Sequence, residues 1–262
     1  MPNEIRFEID SEKCNGCGDC AADCQRHALK IQNKKAVATG SYCFECGHCF
    51  AICPNNAIKV IGCDDEVLEK SGKPVFLDEV ELKTHLKFRR SIRKYEDTPV
   101  EKEKIEKIIE AGRLTPTASN SQNVRYIVVQ KEIDAIEDEI IAQYKLASET
   151  PELAAKLPYN YDPDRLKRGF LFHRAPLVIL NVSPSEINAS LAAMSMELMA
   201  EALGLGTVYV GLFTRPANMN KKLRGSLGIA ENETIAACLA IGYPKVQYRR
   251  TAPRKNANVV WR

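Results

Sequence analysis

Eight of the ten cysteines fall between Cys14 and Cys53, in the runs Cys14-x-x-Cys17-x-x-Cys20-x-x-x-Cys24 and Cys43-x-x-Cys46-x-x-Cys49-x-x-x-Cys53-Pro54. Thiolates at this spacing suit iron–sulfur cubanes: each run supplies three corners, and its fourth cysteine, after a longer gap, reaches the cluster held mainly by the other run. Cys14, Cys17, Cys20 and Cys53 are therefore expected on one [4Fe–4S] cluster, and Cys43, Cys46, Cys49 and Cys24 on the second. The chemistry is transfer of single electrons. Zinc and a disulfide framework are the alternatives, but zinc needs no crossed fourth ligand and disulfides need an oxidising compartment.

A shift of 29 residues maps Cys14 onto Cys43 and Cys24 onto Cys53, and carries His27-Ala28-Leu29-Lys30-Ile31 onto Asn56-Ala57-Ile58-Lys59-Val60. A duplicated half-module follows. With these runs, the stretch resembles a bacterial two-cluster ferredoxin. It departs from that pattern at Gln25, where the repeat would place a proline.

Three later segments carry a different chemistry. Arg89-Arg90-Ser91-Ile92-Arg93 offers guanidinium forks and a hydroxyl, which hold a dianionic phosphate by charge-assisted bidentate bonds. Thr115-Pro116-Thr117-Ala118-Ser119-Asn120-Ser121-Gln122 is a run of small polar groups through which backbone and amides approach a heteroaromatic edge. Arg249-Arg250-Thr251-Ala252-Pro253-Arg254-Lys255 follows Gly242-Tyr243-Pro244 as a second cationic cluster. Taken singly they read as a basic turn, a loop and a basic tail.

In this order, with Leu203-Gly204-Leu205-Gly206-Thr207 between them, the segments resemble the FMN-dependent nitroreductase family over roughly residues 85 to 262. The resemblance implies a homodimer with an FMN at each of two interface sites. It implies that Arg89, Arg90, Ser91 and Arg93 bind phosphate and ribityl oxygens, with Arg250 and Arg254 completing the phosphate site. Pro116, Thr117, Ala118 and Asn120 would reach the flavin from the neighbouring subunit, and Gly211 and Leu212 would pass near the ring. Asn123-Val124 stand where many members have Pro-Trp. Arg168 and Arg174 are candidates for a cation beside the ring, His173 reads as a packing or surface residue, and Arg125 and Tyr126 stay open. No catalytic side chain is assigned.

The elements that must position these groups are legible in part. Glu4 to Ile9 reads as a strand opening a module that ends near Ile61, and the charged stretch Asp64 to Lys83 reads as a linker. Thr98-Pro99-Val100-Glu101 reads as the capped start of a helix whose Ile105, Ile108 and Ile109 share a face. Strands are expected at Val124 to Gln130, Pro176 to Val182, Thr207 to Val210 and Thr234 to Ile241, and a helix begins near Ile133. Residues 150 to 163 read as an irregular, lid-like segment. Ile187 to Leu203 is apolar or small nearly all round, so this helix is buried on most sides, one of them by a second subunit. The tail Val259-Val260-Trp261 is expected to pair with a partner. The fold class is α+β: a mainly antiparallel sheet flanked by helices in the nitroreductase-like domain at 85–262, a linker at 63–84, and a ferredoxin domain at 1–62. Cys63 reads as a free surface or packing cysteine and Cys238 as core.

At 262 residues and a net charge of +3 with both signs interspersed, nothing in the charge suggests a nucleic-acid or membrane partner. No 18-residue apolar run occurs, and free thiolates suit a reducing cytoplasm. Neither Ser-His-Asp order nor H-E-x-x-H nor Gly-x-Gly-x-x-Gly is present, so hydrolytic and Rossmann nicotinamide chemistry lack machinery. The expectation is an oxidoreductase that takes single electrons from a soluble donor, a ferredoxin or similar, at the clusters. FMN then delivers pairs to a nitroaromatic or other electron-poor small molecule. An electron carrier without a dedicated substrate, and a reductase of enones, quinones or halogenated phenols, are the alternatives.

Overall fold

The duplication read from the cysteines is built as one. In a computed structural model that describes residues 6–63, 65–70, 77–157 and 163–262, the chain divides into two units, Met1–Val75 with Thr117–Ser121, and Phe76–Pro116 with Gln122–Arg262. The first holds β1 (Phe7–Ile9), α1 (Asp19–Ala22), β2 (Leu29–Gln32), β3 (Lys35–Ala38), α2 (His48–Ile52) and β4 (Ile58–Val60). Strand β1 pairs antiparallel with β4, and β2 with β3. Equivalent features recur 29 residues apart: the left-handed Gly18 and Gly47 cap the two short helices, and His27 and Asn56 both have φ near 50°. Phe7, Ala28, Leu29, Ala36 and Ile58 form the small core beneath the cysteines. Of the expected opening strand, residues before Arg6 lie outside the described part of the chain.

The second unit holds α3 (Glu79–Phe88), α4 (Lys102–Arg113), β5 (Arg125–Val129), α5 (Ile133–Glu149), α6 (Pro151–Ala154), β6 (Leu177–Ser183), α7 (Glu186–Ala202), β7 (Gly206–Tyr209), α8 (Gly211–Met219), α9 (Lys221–Ser226) and β8 (Thr234–Gly242). Its four strands run in the order β5-β6-β8-β7, every neighbouring pair antiparallel. All seven residues of β6 are buried, because helices cover both faces of the sheet. The strand's two-residue period divides it: Val178, Leu180 and Val182 pack with Ile136, Ile140 and Phe213, while Leu177 and Ile179 pack with Ile108, Met196 and Ala200. Cys238 belongs to the first of these cores.

Local chemistry sets the helix limits. Ser185 caps α7 by accepting from the Asn188 amide, and the helix closes where the Leu205 N–H donates back to the Ala200 carbonyl at 2.9 Å. Pro216 inside α8 removes the amide that would serve the Leu212 carbonyl, and the Tyr144 hydroxyl donates to that carbonyl instead, at 2.8 Å. Two sequence expectations shift. Helix α4 is capped at Glu101, with no side-chain bond, not at Thr98; Val100 is instead buried against the core. Helix α3 begins inside the stretch read as a linker, started by the Asp78 carboxylate accepting from the Glu81 amide. Pro151–Ala154 is helical where the sequence reads as irregular, and Pro158, Tyr159 and Tyr161 of the lid-like stretch lie outside the described residues. The tail after Pro244 forms no strand, and Val260 and Trp261 are exposed.

Candidate functional site

Four cysteines from both runs line a single cavity in the first unit: Cys14, Cys17, Cys20 and Cys53, together with Ile31, Ala36, Ala57 and Ile58. Cys20 is raised by burial and then by the thiolates of Cys17, Cys14 and Cys53. The other four converge likewise: burial raises Cys43, with Cys46 and Cys24 adding, and pushes Cys49 up to about 11, with Cys43 and Cys46 adding. Such crowding favours protonated thiols until a cationic centre neutralises them. The quartets, four thiols each, fit a multi-atom iron–sulfur cluster. Backbone amides point at the sulfurs: Ala36 N–H at Cys14, Ala57 at Cys53, Ala28 at Cys24 and Glu45 at Cys43, at 3.3 to 3.4 Å. Donors of this kind stabilise the more negative, reduced cluster.

In the second unit, backbone pairing brings the two cationic segments together although some 160 positions separate them in the chain. The Ile92 N–H donates to the Thr207 carbonyl, Glu96 to Tyr243 and Lys245 to Lys94, at 2.8 to 2.9 Å. Gly206 makes this possible, since a Cβ there would stand 2.4 Å from Ile92 Cγ1. The Arg90 guanidinium lies 5.6 Å from the Tyr248 ring centroid, which ties the tail to the first segment. Arg93, Arg250 and Arg254 are exposed with no carboxylate at ion-pair distance among the described residues, and Ser91 is half-buried beside them in sequence. Those guanidinia remain available to an anion. Gly211 and Leu212 open α8 directly after β7, Gly211 exposed and with open space around it.

Not every expected residue joins this group. Arg89 is held by Glu197, Nη1 to Oε1 at 2.8 Å, so one of its donors is already committed. Pro116 belongs to the second unit, whereas Thr117, Ala118 and Asn120 belong to the first. The Asn120 amide donates to the carbonyls of Phe44 and Glu45, at 3.1 and 2.9 Å, within the Cys43–Cys46 loop. Arg168 is committed to Asp138 and Asp134, while Arg174 is exposed on a cavity of about 500 Å³ that Lys131, Glu137 and Phe172 also line. Glu137 organises that wall by accepting from the amides of Gly169, Leu171 and Phe172. His173 is lowered by burial and by Arg93. Arg125 forms a fork with Glu233 and so has a structural role.

Two paired carboxylates escape the sequence reading. Glu197 and Glu201 lie one turn apart on α7, Glu197 bonded to Arg89 and Thr207 and Glu201 to His85 at 2.9 Å. A signal existed: two acids four apart on an otherwise apolar helix, matched by His85 and Arg89, also four apart.

Residues 86–243 match the family model described as the nitroreductase family. The chain belongs to the nitroreductase family. Residues 5–58 match a 4Fe-4S dicluster domain. An Archaeoglobus fulgidus protein with the provisional name NADH dehydrogenase/NAD(P)H nitroreductase is 32% identical over 157 residues, 60% of this chain and 82% of its own. An FMN reductase [NAD(P)H] of Bacillus subtilis is 34% identical over 128 residues, 47% of this chain and 50% of its own. The fold is that of a nitroreductase with bound FMN from Bacteroides fragilis, with a TM-score of 0.54 and 20% identity over 71% of this chain and 100% of that one. This nitroreductase-family chain is an FMN-type oxidoreductase that carries a 4Fe-4S dicluster domain. No described helix is long and apolar enough to cross a membrane.

Proposed function

We propose that the protein reduces nitroaromatic or similarly electron-poor small molecules with electrons drawn through its own iron–sulfur domain from a soluble one-electron donor. The observation that carries this reading is the presence in one chain of two convergent cysteine quartets and a nitroreductase-family domain. Bound FMN supplies the conversion between single electrons and pairs. The chain's own groups hold it. Arg90, Ser91, Arg93, Arg250 and Arg254 neutralise its phosphate, with Arg89 contributing the donors that Glu197 leaves free. Gly211 and Leu212 lie at the ring, Gly211 because its lack of a side chain lets a planar group approach. The exposed Ile187, Leu191 and Met194 of α7 support a homodimer, in which Pro116, Thr117, Ala118 and Asn120 reach the partner's flavin. A reducing cytoplasm is the setting these thiols require.

The test is anaerobic turnover of a nitroaromatic with a reduced ferredoxin-type donor. The account expects saturable turnover, and a loss of at least about tenfold in Cys53→Ser that retains its FMN. A protein with full FMN and iron but no saturable turnover would be a carrier instead.

A further inference from the structure

The two halves of the duplicated module place different charged side chains beside their cysteine loops. Against Cys14, the hairpin of β2 and β3 folds so closely that a Cβ on Gly16 would stand 2.2 Å from the Lys34 carbonyl oxygen. This brings the half-buried Lys35 ammonium onto the ligand loop, where it donates to the carbonyls of Ser11 and Cys14 at 2.7 and 2.5 Å. Lys35 has no carboxylate at ion-pair distance among the described residues. The shift of 29 residues carries Gly16 onto Glu45, in the loop between Cys43 and Cys46, and Lys35 onto Asp64, which lies outside the described residues. Glu45 is exposed, its amide donating to Cys43 Sγ at 3.3 Å and its carboxylate only loosely met by Arg6 at 3.6 Å. Asp23 pairs with His48 at 2.9 Å, and Arg26 is stacked over Phe44.

We propose that these charges set the clusters apart, the one on Cys14, Cys17, Cys20 and Cys53 accepting an electron more readily than the one on Cys24, Cys43, Cys46 and Cys49. Reduction adds one electron from the soluble donor to a cluster and breaks no bond. The added negative charge is favoured beside Lys35 and opposed beside Glu45. The sulfur-directed amides do not create the difference, since such donors reach both quartets: Ala36 and Ala57 point at one, Ala28 and Glu45 at the other. An electron arriving therefore rests first on the Lys35 side, and the Glu45 side is the stronger reductant.

The inference rests on both quartets holding a cluster, which iron analysis checks separately: about eight irons per chain are expected, and about four would leave the charge argument without its second cluster. With iron complete, redox titration of the full chain followed by electron paramagnetic resonance should resolve two components. Lys35→Met should lower the upper component about tenfold in its reduction equilibrium, about 59 mV for one electron, and leave the lower one in place. Glu45→Gln should raise the lower component alone, and Glu45→Lys should raise it further. Glu45 is exposed, so these two variants test the idea even if Lys35→Met loses iron. Components that coincide in the native chain, or Glu45 variants with full iron and an unmoved lower component, would overturn it.

Discussion

Arg89 and Glu197 show how one side chain can serve both fold and site. The carboxylate is 2% exposed and also accepts from Thr207 Oγ1 at 3.1 Å, so removing it strands a guanidinium whose side chain is only 22% exposed. Glu197→Ala should cost about 3 kcal/mol in urea unfolding, and much of that should return when Arg89 is replaced by methionine as well. An unchanged midpoint in Glu197→Ala would show that the pair contributes little. Glu201 is pushed up to about 7, by burial first and by the Glu197 carboxylate second, with Arg89 opposing. A carboxyl raised above its unfolded value of 4.5 binds more protons in the native state, so its contribution is complete below pH 4.5 and is lost as pH rises through about 7. Stability measured across that window should fall in the native chain and fall less in Glu201→Gln. Neither role was readable from residue type alone, because an acid on an apolar helix declares no partner until α3 is packed against it. The cysteines differ. Their chemistry is written in their spacing, the crossing of each fourth thiol to the other quartet included.

At the scale of elements, α3 and α7 depend on each other. No residue of α3 is buried; its His85 pairs with Glu201 of α7, and Arg89 at its C-cap pairs with Glu197. On α7, Ala192, Ala193, Met196 and Ala200 are at 0% exposure, while Ile187, Leu191 and Met194 are 73%, 49% and 38% exposed. An apolar stripe at i, i+4 and i+7 left uncovered is the mark of a partner surface. Leu191→Glu should therefore shift the protein from dimer to monomer in sedimentation while its iron content holds. A native chain that sediments as a monomer would count against the dimer. These elements were legible to different degrees for physical reasons. The continuous apolar runs of β6 and β8 announce strands buried on both faces, and Ile133, Ile136 and Ile140 announce α5 by their spacing. The start of α4 was not legible, because burial of Val100 outweighs the Thr98 cap. Helix α3 was hidden because it has no buried face to give it a period, and Asp78 starts it inside a charged stretch.

At the scale of the whole molecule, two sequence signatures of different character meet in one chain, and each is specific for its own reason. Cysteine spacing is constrained by the cluster's fixed geometry, so the first unit is readable almost residue by residue. The two cationic segments are short and far apart, and they come together only when pairing of residues 92–96 with β7 and the start of the tail gathers them. The central claim is that electrons entering at the cysteine-held iron reach FMN within the same protein. Anaerobic stopped-flow mixing with a reduced one-electron donor tests it directly, with cluster and flavin absorbance followed together. The account predicts cluster bleaching followed by flavin bleaching at a rate independent of protein concentration. Clusters that bleach while the bound flavin stays oxidised would contradict it.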